Sequence, residues 1–244
     1  MNVIVYGDFN CPYSYLASQR ADRLLRSGIG VDWRAVEHDR TLPVTGLRSA
    51  ASQVDWDREI AALALAAERA PAGPPAVVSN TMAATAAYAE AIGDGDGDGD
   101  GKGDGDDVAD QLRRAVFRAI WMDGANLSSG YEVRRLVTAA MWPPEDFNDQ
   151  LASPDIPSRL IQDTDLTRIT RRSGGTVQAD GGPLSTDGWE RIRRWRRDWL
   201  ALPVPIVPTV IGPDLTARPG LDGLRYLAEL SGVASTRVRL TAAA

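Results

Sequence analysis

The chain carries a single thiol, Cys11, placed where a sulfur can be reactive. Cys11 is the only cysteine among 244 residues. It follows an apolar, β-prone run and precedes a helical pattern, so Pro12 falls at the first helical position, where its fixed φ and missing N–H cost least. A cysteine at a helix N-terminus faces unpaired backbone N–H groups and the positive end of the helix dipole, and both favour the thiolate. The pattern therefore predicts a reactive sulfur.

Ser14 lies three residues after Cys11 on the same face of the predicted helix, and its hydroxyl can hydrogen-bond the sulfur. A hydroxyl cannot resolve a mixed disulfide, which requires a second thiol. The single cysteine also excludes an intrachain disulfide and a cysteine-cluster zinc site. Cys11 can therefore act only as a monothiol, with a low-molecular-weight thiol releasing the trapped partner. The alternative is an inert buried thiol, since cysteine is among the most buried residue types.

His38 is the only histidine, so a histidine-based triad would need it and a paired-histidine metal site is impossible. Nothing nearby supplies a triad pattern, and we interpret His38 as a structural or surface residue. The Gly/Asp tract over 93–107 partly matches the spacing of a calcium loop. A repeat of period two matches such templates by chance, so we predict a solvated, disordered linker, assign no metal ligand and leave calcium binding as the alternative.

Composition places the chain among globular proteins, with 43% hydrophobic residues and seven tryptophans. No apolar run approaches the ~20 residues of a membrane helix, and the N-terminus lacks the pattern of a signal peptide. We therefore expect a cytoplasmic protein with no membrane contact. The formal net charge is −6, and the tract over 93–107, with seven Asp and one Lys, accounts for all of it. The remainder is neutral and offers no basic field to nucleic acid.

The predicted elements follow the order of an α/β protein. The first strand, helix and strand form a βαβ unit, which is expected to be parallel and right-handed. Helical patterns fill the middle, and one late helix combines tryptophans, which we interpret as packing residues, with arginines that are candidates for holding an anionic substrate. The predicted strands cover 3–9, 29–37, 206–211 and 215–218. The predicted helices cover 15–26, 54–70, a segment capped by Asn80 or Thr81 that runs to 92, 108–122, 131–141, 188–200 and 221–230.

Two short segments resemble a known family. Asp8-Phe9, followed after two residues by Pro12-Tyr13-Ser14-Tyr15-Leu16-Ala17, resembles the active-site segment of the DsbA-like branch of the thioredoxin superfamily. That branch includes Cys-X-X-Cys oxidoreductases, kappa-class glutathione transferases and 2-hydroxychromene-2-carboxylate isomerases. The isomerase and kappa forms carry Ser at position 11, whereas the oxidoreductases carry Cys at positions 11 and 14. The chain combines the Cys of one form with the Ser of the other.

Val207-Pro208-Thr209 resembles the second landmark of that family, a turn opposite the active-site thiol. The resemblance implies that Pro208 is cis and that the Val207 backbone pairs with bound substrate or glutathione. It implies an α/β, thioredoxin-like fold with a large helical insertion, with Cys11 and Ser14 as catalytic residues. The implied thiol- and substrate-binding residues are Pro12, Tyr13, Val207, Pro208 and Thr209. The implied parts are a first core half over 1–40, an insertion over 41–200, a second core half over 201–235 and a tail over 236–244.

The sequence and the family resemblance leave three functions open. The first is a DsbA-family thiol–disulfide oxidoreductase acting through one nucleophilic cysteine. The second is a glutathione- or thiol-dependent isomerase or transferase, and the third is a non-catalytic thioredoxin-fold binding protein. The expected partner is a thiol or disulfide substrate, protein or small molecule, with glutathione or a similar thiol as co-substrate and no tightly bound cofactor. A monomer and a homodimer are both compatible with the sequence.

Overall fold

The computed structural model describes residues 1–50, 60–65, 67–71, 73–92, 104–141, 177–178 and 180–232. Most of the Gly/Asp tract with its calcium hypothesis, the first part of the predicted helix over 54–70 and the tail over 236–244 lie outside these residues. None of the helices in the described ranges is long and apolar enough to cross a membrane. Within the same ranges, no three His, Cys, Asp or Glu side chains cluster as metal ligands.

A four-stranded mixed sheet forms the centre of the fold. Its order is β2-β1-β5-β6, with β1 parallel to β2 and antiparallel to β5, and with β5 antiparallel to β6. A separate antiparallel pair joins β3 to β4. The described strands are β1 (Asn2–Gly7), β2 (Gly30–Ala35), β3 (Leu47–Arg48), β4 (Val77–Val78), β5 (Thr209–Ile211) and β6 (Ala217–Pro219).

Helices cover the sheet and extend beyond it. The helices with both ends in the described ranges are α1 (Pro12–Arg26), α2 (Met82–Ile92), α3 (Asp104–Trp121), α4 (Gly130–Met141), α5 (Thr186–Leu200) and α6 (Gly220–Leu230). The first strand, α1 and the second strand form the predicted parallel βαβ unit. Helix α1 packs against α6, and α5 packs against β2 and α2. Helices α2, α3 and α4 pack on one another and, in the sequence, lie between the second and fifth strands.

Aromatic side chains join the sheet to these helices. The Phe117 ring on α3 contacts the rings of Phe9 (5.0 Å), Trp33 (5.7 Å) and Tyr15 (6.0 Å), measured between centroids. Phe9 also meets Tyr88 of α2 edge to face at 6.1 Å. Such pairs contribute about 0.5–1.5 kcal/mol each beyond the area that they bury. Because Phe9 precedes Cys11 by two residues, this cluster also anchors the segment that carries the thiol.

A buried guanidinium ties α3 to α1. Arg113 has a fully buried side chain, and its nitrogens donate to Asp22 at 2.5 Å, Asp110 at 2.9 Å and the Ser18 carbonyl at 2.9 Å. The guanidinium also lies 5.2 Å from the centroid of Trp33. A buried cation is tolerated only when its donors are paired, and here two carboxylates and a carbonyl meet that requirement.

Several element boundaries differ from the prediction, each for a local reason. The strands β3 and β4 fall where no strand is predicted, because two-residue strands carry no readable alternation. Helix α3 begins at Asp104, so the last four residues of the tract over 93–107 are helical instead of disordered; extending an existing helix adds one hydrogen bond per residue. Helix α5 begins at Thr186 because the Ser185 hydroxyl accepts from the Gly188 N–H at 2.9 Å. The last strand begins late because Leu215 has a left-handed backbone (φ 58°).

Candidate active site

Cys11 occupies the N-cap of α1, as the sequence predicts. Its backbone is extended (φ −97°, ψ 119°), and Pro12 fills the first helical position. The Cys11 carbonyl accepts from the Tyr15 N–H, and the Cys11 N–H donates to the Asp8 carbonyl, both at 3.0 Å. The turn between β1 and α1 therefore fixes the position of the sulfur.

The sulfur faces a turn that lies 196 residues further along the chain. The Val207–Pro208 peptide bond is cis, as predicted. The Cys11 thiol donates to the Val207 carbonyl, with 3.6 Å between sulfur and oxygen. The Pro208 carbonyl accepts from the Gly220 N–H at 2.7 Å, which ties this turn to α6. Within the described ranges, the Val207 N–H has no hydrogen-bond partner.

The remaining predicted site residues divide into two groups. Ser14 is buried, and hydrogen bonds from its hydroxyl, from its backbone N–H and from the Tyr13 N–H lower the pKa of Cys11. Thr209 is also buried, but its hydroxyl donates to the Ile206 carbonyl at 2.6 Å. Ser14 and Tyr13 therefore lie at the sulfur, whereas the Thr209 hydroxyl stabilises the turn itself.

Burial dominates the protonation of Cys11. The residue is only 7% exposed, and this loss of hydration raises the pKa of its thiol to about 11. The hydrogen bonds from Ser14 and Tyr13 oppose the rise but are weaker, and the negative charge of Asp8 adds to it. The helix N-terminus favours the thiolate, as predicted, but burial outweighs it, so the expectation of a net lowered pKa is wrong for this closed arrangement. The sequence does not reveal how fully distant segments cover the sulfur.

Asp8 and His38 form an unpredicted pair behind the Cys11 turn. Asp8 is 2% exposed, and its Oδ2 lies 2.5 Å from the His38 Nδ1 and accepts from the His38 N–H at 2.8 Å. Its Oδ1 accepts from the Asn10 N–H at 2.7 Å, and its own N–H donates to the Ser14 hydroxyl at 3.2 Å. The interpretation of His38 as a structural or surface residue omits this contact. The sequence feature that could have indicated the pair is an acidic residue, Asp8, directly after a buried strand.

The Asp8–His38 contact predicts how stability depends on pH. The hydrogen bond to Asp8 raises the pKa of His38, although burial opposes the rise. A histidine whose pKa is higher in the folded state contributes stability that is fully present below its ordinary pKa of 6.5 and is lost as pH rises through the folded value. In the wild type, we expect the free energy of unfolding, measured in urea, to fall as pH rises from about 6.5 through the higher folded-state pKa of His38. His38→Gln should remove this part of the slope, and equal slopes in both proteins would contradict the assignment.

Two hydrogen bonds hold the Cys11 turn from the helical side. The Trp121 indole N–H at the end of α3 donates to the Phe9 carbonyl at 2.8 Å. The Asn10 side-chain amide donates to the Ser79 carbonyl, just before α2, at 2.5 Å. The turn is therefore fixed by residues far from it in sequence as well as by its own strand and helix.

The Trp/Arg helix, α5, lines a separate cavity of about 180 Å³. Trp195 and Trp199 are buried, as expected of packing residues, but Trp189 lies at the cavity with Arg193 5.9 Å from its ring centroid. Arg196 also lines the cavity and donates to the Glu37 carbonyl at 2.9 Å. Two of the helix's arginines therefore face a cavity, which the tryptophan spacing alone did not indicate.

The sheet order and the site together define a class of protein. A β2-β1-β5-β6 sheet, a cysteine capping the helix after β1 and a cis-proline turn facing that cysteine are the features of a thioredoxin-like protein. Within this class, the chain belongs to the DSBA-like thioredoxin domain family, whose model matches residues 2–174. The predicted family and fold class are thereby confirmed.

Solved structures share the fold at low sequence identity. A probable DsbA oxidoreductase from Streptomyces coelicolor is 16% identical with a TM-score of 0.55, over 98% of this chain and 92% of that chain. A 2-hydroxychromene-2-carboxylate isomerase is 19% identical with a TM-score of 0.51, over 95% of both chains. Among proteins with curated descriptions, none matches the sequence.

Proposed function

We propose that the chain is a thiol–disulfide oxidoreductase that reacts through Cys11 alone. One observation carries the proposal: the Cys11 sulfur lies 3.6 Å from the Val207 carbonyl, beside the cis bond to Pro208. The neighbouring Val207 N–H is unpaired within the described ranges. An extended substrate backbone can pair with this N–H and displace the thiol from the carbonyl. Its sulfur would then lie next to that of Cys11.

The proposed reaction needs one protein thiol and a low-molecular-weight thiol. The Cys11 thiolate attacks one sulfur of a substrate disulfide, the S–S bond breaks, and the leaving thiolate takes up a proton. The glutathione thiolate then attacks the substrate sulfur of the mixed disulfide, so the Cys11 thiolate leaves and a glutathione–substrate disulfide forms. A second glutathione reduces that species, so two electrons come from two glutathione molecules. We propose the cytoplasm, where glutathione is kept mainly reduced, as the compartment.

The high pKa of Cys11 adds a requirement to this mechanism. A thiol with a pKa of about 11 is protonated at neutral pH, whereas only the thiolate attacks. Displacing the thiol from Val207 and admitting water would reduce the desolvation that raises the pKa. We therefore propose that substrate binding at the Val207 turn precedes ionisation of Cys11, and that Ser14 then stabilises the thiolate.

The protonated thiol favours a second candidate function. In this alternative, Cys11 replaces the serine of isomerase and kappa relatives and donates a hydrogen bond to the sulfur of bound glutathione. The supporting observation is that the Cys11 thiol already acts as a donor, to Val207. The chain would then be a glutathione-dependent isomerase or transferase, and Cys11 would form no covalent adduct.

Mass spectrometry with oxidised glutathione distinguishes these functions. The wild-type protein should form a mixed disulfide at Cys11 that dithiothreitol removes, and Cys11→Ser should form none. Calorimetric binding of reduced glutathione without any adduct, at neutral and alkaline pH, would support the isomerase or transferase instead. Neither adduct nor binding would contradict both functions and would favour a non-catalytic binding protein.

A further inference from the structure

The Asp8–His38 pair lies behind the Cys11 turn and takes no part in the proposed exchange reaction. We propose that this pair sets the charge behind the sulfur: the Asp8 carboxylate holds the Cys11 turn, and the His38 imidazole cancels or releases its negative charge by gaining or losing one proton. His38 is thus a positioning residue that acts through Asp8. The inference rests on the proposed function only in taking Cys11 as the reacting group.

The hydrogen bonds of Asp8 place its charge in the Cys11 turn itself. Its carbonyl accepts from the Cys11 N–H at 3.0 Å, and its N–H donates to the Ser14 hydroxyl at 3.2 Å. Its carboxylate is almost fully buried and is bonded to the Asn10 N–H and to His38. A buried carboxylate interacts with neighbouring charge through a low effective dielectric. Its charge therefore opposes ionisation of the sulfur and raises the pKa of Cys11.

His38 is placed to control that charge. Within the described ranges, it is the one basic side chain within ion-pair distance of Asp8, and its own side chain is 46% exposed. The imidazole can therefore exchange protons with solvent while its Nδ1 stays bonded to the carboxylate. The other charged groups nearby have both signs. They are Glu37, Asp39 and Arg40 on the same loop, with Arg40 3.6 Å from the Glu37 carboxylate, and Arg196 of α5, bonded to the Glu37 carbonyl.

The arrangement predicts two regimes of Cys11 reactivity. When His38 is protonated, the pair is neutral and hinders the thiolate little. When His38 is neutral, the Asp8 charge is uncompensated and the thiolate becomes harder to form. Below the thiol pKa, the thiolate fraction and the alkylation rate normally rise tenfold per pH unit. Loss of the His38 charge should flatten this rise across the His38 titration, so that the rate above it is about threefold to tenfold lower than the line extrapolated from low pH. A purely structural pair would leave the profile straight.

The chain has one cysteine and one histidine, so both titrations can be followed without assignment. Iodoacetamide reports the rate of Cys11 alkylation across pH, and the NMR signal of the single imidazole reports the titration of His38. The wild type should show the flattening at the pH where His38 titrates. His38→Gln keeps a hydrogen-bonding side chain but removes the titration, so its profile should be straight. Asp8→Asn should also give a straight profile and react about tenfold faster than wild type at alkaline pH.

Asp39→Asn is the matched control, because it removes an exposed carboxylate from the same loop. This variant should keep the flattening. A straight wild-type profile, a flattening that survives in His38→Gln, or its equal loss in Asp39→Asn would overturn the inference. If circular dichroism shows that Asp8→Asn is unfolded, His38→Gln decides alone. Alkylation needs no disulfide exchange, so the inference can fail while a glutathione adduct still forms, and it can hold when none forms.

Discussion

Iodoacetamide at pH 7 should modify Cys11 about 10- to 100-fold more slowly than it modifies the same cysteine in the urea-unfolded chain. Burial raises the pKa of the thiol from an ordinary 9.0 to about 11, so the folded protein has about 100-fold less thiolate at neutral pH. A thiolate of higher pKa is more nucleophilic, and this greater nucleophilicity recovers up to about tenfold of the lost alkylation rate. The folded-state rate should keep rising with pH to above about pH 9.

The unfolded chain is the natural reference for this measurement, because it presents the same single cysteine without burial. Ser14→Ala provides a second comparison. The Ser14 side chain lowers the pKa of Cys11, so the variant should react more slowly still at a given pH. A folded wild-type rate that levels off below about pH 8 would contradict the closed arrangement of the thiol and would favour a site already open to solvent.

Arg113→Ala should destabilise the fold by about 3–5 kcal/mol, as expected when one partner of a buried ion pair is removed. The substitution leaves the carboxylates of Asp22 and Asp110 and the Ser18 carbonyl without the donors that Arg113 supplies, and it opens space beside Trp33. Urea unfolding followed by circular dichroism measures the change. The effect should appear in the transition midpoint, with the slope unchanged.

Arg114→Ala is the matched control for this prediction. Arg114 is the next residue on α3 and pairs with the same Asp22 carboxylate at 3.2 Å, but its side chain is 45% exposed. Exposed ion pairs contribute about 0–1 kcal/mol, so the loss should be small. Equal losses in the two variants would show that the buried network does not stabilise the fold beyond an ordinary surface pair.

Local patterns in the sequence predict much of the fold. The βαβ opening, the N-cap position of Cys11 and the helix before the last strands all depend on neighbouring residues, and the structure has them. The cis bond before Pro208 follows from the family resemblance and from the chemistry of proline. The two-residue strand Leu47–Arg48 was missed because its pairing with β4 leaves no periodic pattern in either segment.

The site was less predictable, because its chemistry depends on contacts between distant segments. Cys11 and Val207 are 196 residues apart, and Asp8 and His38 are 30 apart. The helix N-terminus, which is visible in the sequence, favours the thiolate, whereas the burial that raises the pKa of Cys11 exists only after folding. The position of the sulfur could therefore be predicted, but its protonation could not.

The hydrogen bonds from Trp121 to Phe9 and from Asn10 to Ser79 limit how the site can be engineered. Both join the Cys11 turn to segments outside the βαβ unit. A minimal scaffold that kept only the sheet, α1 and α6 would lose both contacts and the Phe117 ring that packs on Phe9. Transplanting Cys11-Pro12-Tyr13-Ser14 into another thioredoxin-like protein would transfer the residue types but not their setting. Residues on the surrounding helices and loops thus hold the motif in place, and a functional graft would have to include them.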